Sequence, residues 1–160
     1  MTGLATLEAR LAEDLACLAL PAAPWVPARE GVTDVLVVGA GMCGLAALAE
    51  LRLLGIDRSL AVDAAPAGLE GPWDTFARMR TLRSPKSLTG PALGLPALTF
   101  RAWFTAQWGA PAWAALDKIP KGQWTDYLRW YRRVLALPVR NDTRLTDLRG
   151  EGDLLRATLH

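Results

Sequence analysis

The spacing of apolar residues changes several times along the chain, and each change marks an element. Leu4, Leu7, Leu11, Leu15 and Leu18 recur at three- and four-residue intervals, with Glu8, Arg10 and Glu13 off that stripe. This predicts an amphipathic helix over residues 4–18. Pro21, Pro24 and Pro27 then stop the helix and continue as an extended linker. Asp34-Val-Leu-Val-Val-Gly39 is a short, β-branched run of the kind buried on both faces of a parallel sheet. Helix formers fill residues 40–54, and Gly55 stands where a glycine commonly ends a helix. Ser59-Leu-Ala-Val-Asp63 is a second apolar run. Strand, helix and strand within about 30 residues make one βαβ unit, whose crossover is right-handed.

The pattern then loosens. From Pro66 to Pro120 there are twelve glycines and prolines, so long regular elements are not expected there. One short helix is predicted over 100–108, with Thr99 as N-cap and Phe100, Trp103, Phe104 and Trp108 on one side. A long irregular stretch in a compact domain is usually functional or disordered, and the aromatic content here argues against disorder. Residues 123–137 read as an amphipathic helix. Trp124, Tyr127, Leu128, Tyr131, Val134 and Leu135 form its apolar face, Thr125, Asp126, Arg129 and Arg133 lie opposite, and Pro138 closes it. Residues 145–149 and 154–159 read as a hairpin joined by Gly150-Glu-Gly-Asp153. An isolated hairpin is marginal, so the chain reads as an N-terminal fragment. The expected organisation is a helical arm and proline-rich linker over 1–30, then an incomplete dinucleotide fold over 31–160. The class is α/β, with a parallel central sheet and the start of a β-meander. The arm is expected to pack on the main domain, with partner binding as its second reading.

Composition narrows the function. The chain has 160 residues, 51% apolar and 21% charged, which is ordinary globular usage for one domain. A net charge of +2 is too small and too dispersed for a nucleic-acid binder. Arg129, Arg132 and Arg133, beside Trp124 and Trp130, read as the wet face of a helix. Fifteen Arg against three Lys read as genome bias. Cys17 and Cys43 cannot build a disulfide framework or a zinc site, and are expected to be small buried hydrophobes in a reducing compartment, the cytoplasm. The acidic start lacks the basic region of a signal peptide, and the uncharged run 35–49 is shorter than the ~20 residues of a membrane span. No metal-ligand spacing is present. The lone histidine, His160, leaves no acid–base pair or triad, so no catalytic side chain is assigned.

The chemistry concentrates in Gly39-Ala-Gly41-Met-Cys-Gly44, a G-x-G-x-x-G directly after a strand and opening a helix. In that setting Gly39 makes the tight turn, Gly41 lets backbone approach a diphosphate, and Gly44 lets helix and strand pack closely. The free N–H groups around Met42 and Cys43 face the phosphates, aided by the helix dipole. Asp63 ends the second strand, 19 residues after Gly44, where a carboxylate accepts from ribose hydroxyls and repels a 2′-phosphate. These spacings fit the ADP half of either FAD or NAD.

The run 34–63, then Gly71-Pro-Trp73 and the segment 78–90, resembles the flavin-containing monooxygenase-like oxidoreductases, in particular their bacterial predicted-flavoprotein branch. Residues 116–120 and 124–131 echo the same family, so the resemblance covers nearly all of the chain. It implies that the 39–44 loop binds the FAD diphosphate and Asp63 its ribose. It places Gly71 and Trp73 in the Gly-Gly-x-Trp segment along the flavin, and Leu145 where a backbone group meets adenine. Arg83 and Ser84 fall where many relatives carry an Asn near the flavin, and Arg83 is carried as a cofactor contact. The implied activity is an NAD(P)H-dependent flavoprotein oxidoreductase, of monooxygenase type, acting on a small organic substrate. The NAD(P)H site lies outside this chain. No nucleic-acid or membrane partner is expected, and a homo-oligomer stays open. With the flavin end uncovered, the chain is expected to hold FAD weakly. Two other readings stand beside this one. An NAD-dependent dehydrogenase would want Tyr-x-x-x-Lys, but Tyr127 and Tyr131 are followed four residues on by Tyr131 and Leu135. The other is a non-catalytic nucleotide-binding module or inactive fragment.

Overall fold

A computed structural model describes residues 3–88 and 90–160. Helix α1 (Gly3–Cys17) lies against helix α3 (Phe100–Ala115) and the single 3₁₀ turn before it (Pro96–Leu98). Strand β1 (Val35–Val38), helix α2 (Met42–Leu53) and strand β2 (Ser59–Val62) form the anticipated βαβ unit. Helix α4 (Lys121–Val134) leads into β3 (Val139–Arg140), which joins the same parallel sheet. Among the described residues the strand order is β1-β2-β3, with Val35 opposite Ser59 and Ala61 opposite Val139. Strands β4 (Leu145–Glu151) and β5 (Leu154–Leu159) make a separate antiparallel hairpin.

The core lies between α1, α2, α3 and α4. Leu7 and Leu11 of the arm enter it, so the leucine stripe packs on the main domain. Leu18 falls beyond the end of α1 and is exposed. Phe100 is fully buried and touches the rings of Trp103, Phe104, Trp113, Trp124 and Tyr127. Thr99 caps α3 as anticipated, its hydroxyl accepting from Ala102 N–H at 3.1 Å.

Several expectations are corrected. Helix α3 runs past Trp108 to Ala115, bending at Gly109 (φ 83°) so that Trp113 returns to the aromatic cluster. Strand β1 is not buried on both faces. It is an edge strand of the described sheet, and Val38 is 59% exposed. Neither cysteine is buried. Cys43 is two residues from Leu45 and therefore on the far side of α2 from the buried Leu45, Leu48 and Ala49. Cys17 similarly lies off the Leu7–Leu11 face of α1. Thr125 is buried rather than on the wet face, and its hydroxyl is satisfied there by donating back to the Lys121 carbonyl. The hairpin turn is tighter than Gly150–Asp153: Glu151 pairs with Leu154, leaving Gly152 and Asp153. At the end of the hairpin, the N–H and carbonyl of His160 both pair with Arg144.

Candidate functional site

The site begins where β1 ends. Gly39 turns the chain at φ 98°, a left-handed conformation that side chains disfavour. Its N–H donates to the Val62 carbonyl at 2.8 Å, fastening the bend to the end of β2. Gly41 is the N-cap of α2 and makes no side-chain cap bond. The first bond of the helix runs from Leu45 N–H to the Gly41 carbonyl, so the N–H groups of Met42, Cys43 and Gly44 precede it. A Cβ on Gly44 would sit 1.8 Å from the Gly39 carbonyl oxygen, so helix and strand meet at a distance only glycine allows. A Cβ on Gly41 would sit 3.4 Å from Gly71 Cα, and one on Gly71 3.5 Å from Gly41 Cα. Two bare backbones therefore face each other across the mouth of α2.

Asp63 closes the other side. Its Oδ2 accepts from Ala40 N–H at 2.7 Å and its Oδ1 from Ala65 N–H at 2.8 Å. A carboxylate has about four lone-pair sites, so two remain for a sugar diol. The N–H of Thr143 donates to the Asp63 carbonyl at 2.8 Å, which brings the chain entering β4 beside it. Leu145 is two residues further on and opens β4; it lines neither of the clefts described next.

Two clefts meet at the start of α2, with Trp73 in the wall of both. The smaller, of 320 Å³, is bordered by Ala40, Gly41, Gly68, Glu70, Arg129 and Arg132. The larger, of 610 Å³, is bordered by Met42, Cys43, Trp73, Leu82, Arg83 and Trp124, among others. Trp73 meets Trp124 edge to face, with ring centroids 6.2 Å apart. The Nε1 of Trp73 is buried without a hydrogen-bond partner. Of the residues singled out from sequence, the structure thus gathers Gly39, Gly41, Met42, Cys43, Gly44, Asp63, Gly71 and Trp73 around one helix start. Arg83 lines the larger cleft together with Met42, Cys43 and Trp73, and is exposed.

Sequence reasoning missed what holds Gly71 opposite Gly41. Glu70 Oε1 accepts from Arg132 Nη1 at 2.7 Å and from Asn141 Nδ2 at 2.6 Å, while Oε2 accepts from Gly68 N–H at 2.8 Å. Arg132 also donates to Asn141 Oδ1 and to the Val139 carbonyl. Side chains of this pair are only 27% (Arg132) and 10% (Glu70) exposed. Arg129 donates to the Gly68 carbonyl and pairs with Asp74 at 3.0 Å. Arg133 pairs with Glu8 of the arm. The three arginines are therefore fasteners between α4 and its neighbours, not a free basic face. Glu70 offered a signal: it departs from the Gly-Gly-x-Trp pattern at the position of the first glycine.

Other groups are committed to structure. The Tyr127 hydroxyl donates to the Leu98 carbonyl at 2.6 Å, and burial pushes the phenols of Tyr127 and Tyr131 well above their ordinary range. Lys86 donates to the carbonyls of Trp113, Ala114 and Leu116, pinning the rim of the larger cleft to the end of α3. Among the described residues no group of three His, Cys, Asp or Glu is placed to hold a metal. No described helix is long and apolar enough to cross a membrane.

Comparison with known proteins agrees with this geometry. A family described as FAD-NAD(P)-binding matches residues 36–157. An FAD-dependent urate hydroxylase of Xanthomonas campestris pv. campestris is 54% identical over 146 residues, which cover 89% of this chain and 31% of that protein. The chain thus spans about a third of the length of that curated relative. The bacillithiol disulfide reductase of Staphylococcus aureus superimposes with a TM-score of 0.60 over 79% of this chain and 33% of its own, at 17% identity, a likeness of fold alone.

Proposed function

Because the chain belongs to the FAD-NAD(P)-binding family, we propose that it is the FAD-binding portion of an NAD(P)H-dependent flavoprotein oxidoreductase. The reaction type we infer is monooxygenation of a small organic molecule, with urate the first candidate from the 54% identical relative. The observation that carries the reading is the pair of bare backbones, Gly41 and Gly71, facing each other at the uncapped start of α2. A diphosphate is the ligand such a place accommodates: amide donors, dipole and no side chain in the way.

The residues present fit the group. Gly39, Gly41, Met42, Cys43, Gly44 and Gly71 would hold the diphosphate, and Asp63 the ribose. Leu145 would offer backbone to the adenine, and Trp73, with its unpartnered indole N–H, would lie along the flavin. Bound FAD would supply the redox chemistry of such an enzyme. The chain's own work is to bind and orient. The Asp63 carboxylate grips Ala40 N–H and so holds the bend in its receiving shape before any ligand arrives. No side chain here is assigned a proton-transfer role, and the NAD(P)H site is placed outside these residues. The reading places the protein in the cytoplasm, supported by two free cysteines. No observation favours a dehydrogenase built on Tyr127 or Tyr131, both of which are fully buried.

Titration of the chain with FAD tests this. Asp63→Ala is expected to weaken binding about tenfold, the equivalent of ~1.4 kcal/mol. Undiminished affinity would remove Asp63 from the site, and no FAD binding by the parent chain would sink the reading. The parent complex is expected to shed FAD on gel filtration, and a stoichiometrically yellow peak would show that the cofactor is fully covered without further chain.

A further inference from the structure

We infer that Arg129 supplies the counter-charge for the FAD diphosphate, exchanging its bond to Asp126 for one to a phosphate oxygen. This rests on the flavoprotein reading above and adds a binding residue to that site. A diphosphate carries full negative charges, whereas the amides and dipole at the start of α2 offer only partial positive ones. Asp63, which grips Ala40 N–H, adds a further negative charge nearby. A full cation is the missing element.

The 320 Å³ cleft at Ala40 and Gly41 has three charged side chains among its described lining residues: Glu70, Arg129 and Arg132. Glu70 and Arg132 cancel each other. Their pair is largely covered, and Arg132 also serves Asn141 and the Val139 carbonyl. Arg129 is the charge that remains. Its side chain is 46% exposed, and its own acids, Asp74 and Asp126, do not border the cleft.

The donors of Arg129 are only partly used. A guanidinium has five N–H donors. Nη1 gives one to Asp126, and Nη2 gives two, to the Gly68 carbonyl and to Asp74. The Nε–H and the second Nη1–H meet no partner among the described residues. At Gly68 a Cβ would come within 3.1 Å of Nε, so a bare backbone keeps that donor uncovered. The bond to Asp126 is the one that yields. It joins residues three apart on one helix, and the Asp126 side chain is 60% exposed, so water competes for both partners. A phosphate takes a guanidinium in two parallel bonds, which a solvated carboxylate at one Nη1 does not match. The bonds to Gly68 and Asp74 keep the guanidinium in place during the exchange.

The test is titration of the chain with FAD at low and at high salt. Arg129→Gln is expected to bind FAD about tenfold more weakly at low salt. The loss should shrink as salt rises, because a half-exposed charge is screened. Arg129→Lys, which keeps the charge without the fork, should recover part of it. Asp126→Asn removes the competitor and should tighten FAD binding about twofold. Arg133→Gln, on the same helix but away from the cleft, should match the parent. Parent-like affinity in Arg129→Gln overturns the proposal. So does a loss that persists undiminished at high salt, or an Asp126→Asn variant that binds as weakly as Arg129→Gln. Either would make Arg129 a fastener of the loop at Gly68 and Asp74 and nothing more. Failure of the parent to bind FAD would instead sink the underlying reading, so the two failures are distinct.

Discussion

Gly44 and Phe100 show two ways of fixing a backbone. At Gly44 the position is set by what is missing: a methyl group there would overlap the Gly39 carbonyl at 1.8 Å. At Phe100 it is set by what is present, a fully buried ring in contact with five others. The βαβ unit is local, since its strands are β-branched runs joined by one helix and one bend. The region from 64 to 137 has little regular hydrogen bonding before Pro96 and is held by aromatic packing, a largely covered Glu70–Arg132 pair and a pinned lysine. The first builds the uncapped helix start at which a diphosphate is proposed to sit; the second builds the walls around it. A binding site of this kind therefore has a rigid floor and sides that depend on distant side chains.

The sharpest way to break the contrast is Gly44→Val. Overpacking costs roughly 1–3 kcal/mol in a yielding core and more where the obstacle is backbone, so the chain should fail to fold or to bind FAD. A variant with the parent's urea midpoint would show that α2 can back away from β1. Phe100→Ala comes next. Truncating a buried Phe costs about 3–5 kcal/mol, read as a lowered urea midpoint with an unchanged slope. A loss below ~1 kcal/mol would mean that the aromatic cluster is not the keystone of the second region.

Glu70→Ala probes the join between the two regions. It strips a largely buried carboxylate of three donors, leaving Arg132 without its anion, and should cost about 2 kcal/mol. Because Gly71 would lose its fixed place opposite Gly41, FAD affinity should fall further than stability does. Glu70→Gln, which keeps one acceptor and a neutral donor, should recover part of the affinity. Equal affinity in all three would show that Gly71 holds its place unaided.

The smallest effect concerns the arm. Glu8 accepts from Arg133 at 2.6 Å and from Trp130 Nε1 at 3.0 Å. The Arg133 guanidinium holds its carboxyl below the ordinary glutamate range, against a weaker opposing push from burial. A carboxyl lowered in the folded state stabilises the fold above its unfolded value of 4.5, and that contribution is lost as pH falls through the lower folded value. Since Arg133 is mostly exposed, the contribution is below ~1 kcal/mol. Limited proteolysis of α1 should accelerate below pH 4.5, and Glu8→Gln should proteolyse at the faster rate at every pH. A Glu8→Gln profile that still bends with pH would place the titrating group elsewhere.

The legible part of the molecule is the part governed by neighbours along the chain. Three glycines at fixed spacing after an apolar run, and an acid after the next run, placed Gly39, Gly41, Gly44 and Asp63 around one helix start because a βαβ unit brings its own ends together. Thr99 was legible for the same reason: a cap acts three residues away. Arg129 is exposed as read, but Arg132 is half-covered and the partners of both were not legible, because helical periodicity describes a face and not what lies across from it. Their partners, Gly68, Glu70 and Asp74, come from a loop roughly sixty residues earlier. The two cysteines were misplaced because low polarity says little about which side of a helix is covered.

By itself, then, the sequence determined the helices, the strand–bend–helix seat and its acid, since these follow from steric rules acting over a few residues. Only the tertiary structure decided that Gly71 comes to face Gly41, that Trp73 stands between two clefts, that the arginines of α4 are fasteners, and that Arg83 is the lone charge in an apolar wall. Each of those depends on residues far apart in the chain being brought within a few ångströms, where packing and desolvation select the partners.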